Sequence, residues 1–127
     1  GLLPVNALRA ADSVLVPTQP QVSDLRGLRL FLQTIERVRS RLNPHLDMLG
    51  VLVTFYDSRL IHHQDAMETL ATGGLPIIDV YIGRSVRVAE AAASGESIVT
   101  YEPSNKQAKN YLKLAEVIDQ WLNDAPK

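Results

Sequence analysis

Arginines placed just past apolar, β-branched runs are the residues of this chain best suited to chemistry. Arg59 closes the segment Thr54-Phe55-Tyr56-Asp57-Ser58-Arg59, and Arg84 and Arg87 follow the run Pro76–Ile82. A guanidinium is planar and always charged, and its fork pairs with two oxygens of one phosphate, so phosphate is the ligand class these residues suit. Arg84 and Arg87 also stand at the start of a predicted helix, where the dipole disfavours cations. A phosphate partner would account for that arrangement. The positions matter as much as the residue types, because α/β sheets bind ligands outside the carboxyl ends of their strands.

Other chemistries find little support. The chain contains no legible Ser–His–Asp arrangement, paired carboxylates or HExxH motif, and no glycine-rich phosphate loop. No catalytic residue is therefore expected within it. His62-His63-Gln64-Asp65 invites a metal reading, but adjacent helical positions diverge by about 100°. Neither a cysteine nor a third histidine lies at ligand spacing, so the pair reads as solvated and no metal is expected. Arg37, Arg39 and Arg41 cluster at the end of a long helical pattern, where cations meet the helix C-terminus favourably, and a structural role suffices for them.

The elements that must position the arginines alternate in type. Leu2–Ala11 reads as a short helix, with Pro4 tolerated in its first turn. Ser13–Thr18 and Met48–Phe55 read as strands buried on both faces, and Pro76–Ile82 as a third strand. A helix capped by Ser23 or Asp24 runs to about Leu42 and carries the stripe Leu25, Leu28, Leu32, Ile35, Val38 and Leu42. Further helices are expected over about 61–71, over 85–93 with Gly95 as its stop, and over 104–124. In the last of these, Ala108, Tyr111, Leu112, Ala115, Ile118 and Leu122 share a face, with Tyr111 and Trp121 as core or interface anchors. Alternating strands and helices predict βαβ crossovers and a parallel sheet: an α/β fold, a partial doubly wound sheet of about three strands.

Length and composition fit one domain over residues 1–127 with a single core. The net charge of -1 hides an uneven distribution: residues 1–60 carry seven arginines against five acids, whereas 61–127 carry six basic residues against nine acids. Local basic patches are thus compatible with a near-neutral chain. The absence of cysteine excludes disulfides and fits a reducing compartment. No apolar run approaches the roughly 20 residues of a membrane span, and the N-terminus lacks the pattern of a signal peptide. The tail Asn123-Asp124-Ala125-Pro126-Lys127 is too short and polar to act as a membrane-binding helix.

Five stretches, GLLPVNALRAADSVLVPTQP (1–20), LRGLRLFLQTIERVRSRLNP (25–44), LGVLVTFYDSR (49–59), IGRSVRVAEA (82–91) and YEPSNKQAKNYLKLAEVI (101–118), are spread along the chain from residue 1 to residue 118. In order and spacing they resemble the C-terminal half of ParA/Soj-type partition ATPases, of the deviant P-loop class that includes MinD. The resemblance implies that the phosphate loop, and the acids that hold magnesium and water, belong to a preceding half. The chain is therefore similar to a family member without that half, expected neither to bind ATP tightly nor to hydrolyse it alone. In the full family protein it implies slow ATP hydrolysis with magnesium, ATP-dependent dimerisation and DNA binding without sequence preference. A ParB-like adaptor and a place on the nucleoid in the bacterial cytoplasm follow from the same likeness.

Residue by residue, the resemblance puts Thr54, Phe55, Ile82, Gly83 and Arg84 on the adenine side, and Arg59, Arg84 and Arg87 on the DNA-contacting surface. Family members usually carry proline where this chain has Gly83, which predicts a more mobile loop here. They commonly carry glutamate where it has Gln21. Other readings of the chain are an interaction module without nucleotide chemistry, which would self-associate as a dimer or higher oligomer, a MinD-like protein, and a relative of the enzymes that amidate corrinoid precursors.

Overall fold

The computed structural model describes residues 2–124. Gly1 and the tail residues 125–127, on which the reading of a polar tail partly rests, lie outside the described residues. The elements are α1 (Leu2–Ala10), β1 (Ser13–Thr18), α2 (Val22–Arg41), β2 (Asp47–Tyr56), α3 (Ile61–Thr72), β3 (Ile77–Gly83), α4 (Val86–Ala93), α5 (Ile98–Tyr101) and α6 (Lys106–Asp124). The three strands form one parallel sheet in the order β1-β2-β3, as the alternation predicts.

Side-chain burial shows why β2 sits centrally. Gly50, Val51, Leu52 and Val53 are all buried, because both faces of this strand carry helices. On one face Val51 and Val53 pack with Leu8 of α1, with Leu25, Leu28, Ile35 and Val38 of α2, and with Leu70 of α3. On the other, Leu52 joins Ile78, Val80 and Ile82 of β3 against Leu114 of α6. A smaller cluster of Ala91, Ile98 and Ala108 ties α4 and α5 to α6. Strand β1 departs from the expectation of two-sided burial: only Val16 is fully buried, because β1 lies at an edge of the sheet.

Helix α2 begins earlier than expected, at Val22. Gln21 occupies the cap position without a side-chain bond, and Asp24 sits in the first turn, where its charge suits the dipole. Four of its six stripe residues are buried, whereas Leu32 is half-buried and Leu42 is exposed. Asn43, which ends the helix, has a second task. Its Nδ2 donates to the carbonyls of Leu8 (3.0 Å) and Ala11 (2.8 Å), closing the C-terminus of α1. The turn at 98–101 is helical, capped by Ser97 Oγ, which accepts from the Thr100 N–H at 3.3 Å.

The largest difference concerns α6. Gln107, Ala108 and Leu114 are its buried residues, and Val117 and Ile118 pack against β3. Tyr111, Leu112, Ala115 and Leu122 are exposed, so the inward face is rotated from the expected stripe. A polar contact lies on this inward face: the Gly83 N–H donates to Gln107 Oε1 at 2.7 Å, which satisfies the buried Gln107 side chain.

The β1–β2 register shifts between Val14, opposite Met48, and Leu15, opposite Gly50, leaving Leu49 unmatched, and Gly50 has a φ of 150°. A Cβ there would lie 2.8 Å from both Ile78 Cγ1 and the Pro76 carbonyl, whose oxygen already accepts from the Val51 N–H. Gly50→Ala should therefore destabilise the protein by about 2 kcal/mol or more, read as a lower urea midpoint at unchanged m-value.

Candidate functional site

The parallel register brings the C-terminal ends of β2 and β3 together. Val53 pairs with Tyr81 and Tyr56 with Gly83, so Thr54-Phe55 and Ile82-Gly83-Arg84 lie side by side at one edge of the sheet. Thr54 Oγ1 donates to the Thr18 carbonyl at 3.3 Å and joins the end of β1 to the same edge. Ile82 is buried in the core. Phe55 is 49% exposed and has a φ of 55°, a left-handed conformation that costs an aromatic residue about 1–2 kcal/mol. Strain of this kind gathers where a side chain must be aimed, and here it turns an aromatic ring outward beside the strand ends.

Gly83 is held, and the reason for glycine is close approach. A Cβ at this position would fall 2.5 Å from Gln107 Nε2. Its N–H already belongs to Gln107 and is not free for a base. A larger residue at 83 would require the Gln107 side chain to move from its present position.

Beside this edge lies a cleft of about 720 Å³ between the β2–α3 turn, β3 and α6. Arg59 and Arg84 both line it. So do Lys106, Asn110 and Lys113, which the sequence did not single out. The signal for them was the i, i+4, i+7 spacing, which puts all three on one face of α6. Asp57 and Asp79 are the acids of the lining, so cations outnumber acids four to two. Arg87 is not among the lining residues.

The three arginines differ in how they are held. Arg59 donates through Nε to Asp57 Oδ1 (3.0 Å) and through Nη2 to Oδ2 (2.9 Å), with its guanidinium otherwise in solvent. Hydrogen bonds from the Arg59 side chain and backbone bring the Asp57 carboxyl down to about 2, and the same pairing raises Arg59. Arg87 reaches Glu90 at 2.8 Å and Glu102 at 3.2 Å and lies 5.4 Å from the centre of the Tyr101 ring. Its ionisation is raised, first by the bond to Glu102, whose carboxyl is lowered by Asn105 and then by Arg87. Carboxylates thus answer for a cation at the start of α4, where the sequence argument looked to phosphate. Arg84 is exposed and makes no ion pair among the described residues. Arg39 pairs with Glu36 at 3.5 Å and stands with Arg41 in the last turn of α2, as the structural reading has it.

His63 corrects the solvated reading of the histidine pair. It is 6% exposed, stacks against Tyr56 and accepts the Asp57 N–H at Nδ1 (3.0 Å), whereas His62 is exposed. Among the described residues no group of acids and histidines is arranged to hold a metal, and no helix is long and apolar enough to cross a membrane.

A family model, the CobQ/CobB/MinD/ParA nucleotide binding domain, matches residues 5–98. The chain belongs to this family. It is 43% identical over 121 residues to the chromosome partitioning protein ParA of Caulobacter vibrioides, covering 94% of this chain and 45% of that protein. It is 41% identical over 124 residues to the chromosome-partitioning ATPase Soj of Thermus thermophilus, covering 97% and 50%. The expected kinship with ParA/Soj-type ATPases therefore holds, and the chain spans half or less of the length of these relatives. Among solved structures, cobyrinic acid a,c-diamide synthase of Mycobacterium smegmatis superposes with a TM-score of 0.76 at 31% identity, over all of this chain and 45% of the enzyme. That enzyme has been crystallised with an ATP analog and magnesium.

The residues present here fit such a nucleotide only in part. Phe55 and the end of β3 offer a surface to a base, but the Gly83 N–H is taken and the sequence holds no glycine-rich cradle for phosphates. No step of hydrolysis is assigned to this chain.

The Asp57–Arg59 pair has a definite pH signature. A depressed carboxyl stabilises the fold fully above its unfolded value of 3.8, and that contribution is lost as pH falls toward 2. Carbon-13 titration should show Asp57 ionising near pH 2, with Arg59→Gln returning its midpoint toward 3.8.

Proposed function

We propose that this chain is the DNA-contacting, C-terminal part of a ParA-type partition ATPase. The observation that carries the reading is the cleft at the carboxyl edge of the sheet, where Arg59, Arg84, Lys106 and Lys113 converge in a chain that matches chromosome partitioning proteins. Arg87, beside the cleft, extends the same surface. Cations of this kind bind the phosphate backbone, which is uniform along DNA, and so bind without sequence preference. In the intact protein, ATP and magnesium are held mainly by residues outside this chain. Thr54, Phe55, Ile82, Gly83 and Arg84 form the side nearest the base, with Phe55 as the exposed ring. ATP-dependent dimerisation, a ParB-like adaptor and a place on the nucleoid in a bacterial cytoplasm complete the reading.

Binding of mixed-sequence duplex DNA by the intact natural protein tests it. Arg84→Glu, Arg59→Glu and Arg87→Glu should each weaken binding, and Arg84→Glu should lower the log–log salt slope by about one. Arg37→Glu, on α2 away from the cleft, should change affinity by less than about twofold. Equal losses from all four substitutions would mean diffuse electrostatics and would overturn the assignment.

A second reading, as an interaction module, is favoured by a different observation. Strand β1 has no strand partner on its outer side among the described residues, and Leu2 and Leu3 of α1 are 79% and 82% exposed. On this reading residues 1–127 alone should be a dimer or larger in light scattering. A clean monomer would contradict it.

A further inference from the structure

We propose that His63 is a positioning residue for Arg59, acting with Gln64 as a clamp on the Asp57–Arg59 turn; its consequence for DNA rests on the reading given above. Strand β2 ends at Tyr56, and the next N–H, that of Asp57, has left the sheet ladder. An N–H in this half-buried place needs an acceptor. His63 Nδ1 supplies it at 3.0 Å. The neighbouring residue does the complementary job, since Gln64 Nε2 donates to the Ser58 carbonyl. Two consecutive side chains from the first turn of α3 thus hold a donor and an acceptor of the turn.

The imidazole is itself fixed. It is 6% exposed, stacked on Tyr56 at 6.2 Å between ring centres and met edge-on by His62 at 4.7 Å. A ring that accepts at Nδ1 is neutral and carries its proton on Nε2. Leu60, at the cap position of α3, makes no side-chain cap bond, and its N–H donates to the Asp57 carbonyl at 3.1 Å, which ties the helix start to the turn before it. With the Asp57 backbone held, its carboxylate accepts both the Arg59 N–H and the Arg59 guanidinium. The direction of Arg59 is then fixed through a chain of contacts that begins at His63.

A histidine buried only for packing would be replaced equally well by any side chain of similar size. A clamp requires an acceptor on the atom that follows Cγ, which asparagine offers through Oδ1 and leucine does not. Amide hydrogen exchange of the intact natural protein separates the two. His63→Leu should speed exchange at the Asp57 amide about tenfold, and His63→Asn should recover to within about threefold of wild type. The amides of Val51 and Val53 report whether the core is intact. If His63→Leu disturbs them as well, Gln64→Ala carries the test and should speed Asp57 exchange about threefold. Unchanged Asp57 exchange in His63→Leu or Gln64→Ala, or an asparagine variant no better than leucine, would overturn the clamp. DNA affinity, measured alongside, should fall in His63→Leu and recover in His63→Asn. Asp57 exchange that follows the clamp, with DNA affinity indifferent to both His63→Leu and Arg59→Glu, would support the clamp and overturn the DNA reading alone.

Discussion

Wherever a strand leaves a sheet, its next backbone groups lose their ladder partners, and in this molecule a side chain takes up one such group near the end of each strand at the candidate edge. Thr54 Oγ1 donates to the carbonyl of Thr18 at the end of β1. His63 accepts the N–H that follows β2, and Gln107 accepts the N–H of Gly83 at the end of β3. An unpaired buried group costs about 1–3 kcal/mol, so each contact constrains the loop that follows it. Residues 57–59 and the segment from Arg84 leave the sheet from fixed points, as a binding edge requires.

The Gln107 contact reaches further than its own loop. A glutamine would ordinarily face water on an amphipathic helix. Here its amide turns inward to the Gly83 N–H, on the same face that packs against β3. Leu114, two turns along the same face, meets Ile78, Val80 and Ile82. In this orientation Lys106, Asn110 and Lys113 line the cleft and Leu112 and Leu122 lie outside. The apolar packing of Leu114, Val117 and Ile118 and the Gln107 contact with Gly83 agree on one orientation of α6, and a Cβ at position 83 would require the Gln107 side chain to shift.

Much of the fold was legible because β-branched runs and apolar spacing are local signals. The three strands, the parallel order and four of the six stripe residues of α2 follow from them. The rotation of α6 was not legible, since apolar periodicity alone cannot reveal that a polar residue will face inward to a backbone N–H distant in sequence. The buried His63 was hidden for the same reason: its partner, Asp57, lies in a loop, and residue type gives no sign of a bond to backbone. At the candidate site, Arg59 and Arg84 stood out by their place after strands. Lys106 and Lys113 did not, because α6 reaches the cleft only through the tertiary fold.

Charge, more than fold, bears on what this edge does. The same sheet and helices are found in a cobyrinic acid a,c-diamide synthase, so the architecture by itself does not select a substrate. The cations of the edge differ in how available they are. Arg59 and Arg87 are matched by Asp57, Glu90 and Glu102, and a polyanion must compete with those carboxylates. Such competition is modest for exposed pairs, which contribute about 0–1 kcal/mol each. Arg84 meets no such competitor among the described residues, and Lys106 and Lys113 add charge from a second element. On the proposed reading, a surface with both matched and free cations would bind a polyanion through several weak contacts, its strength following ionic strength more than the shape of any single pocket.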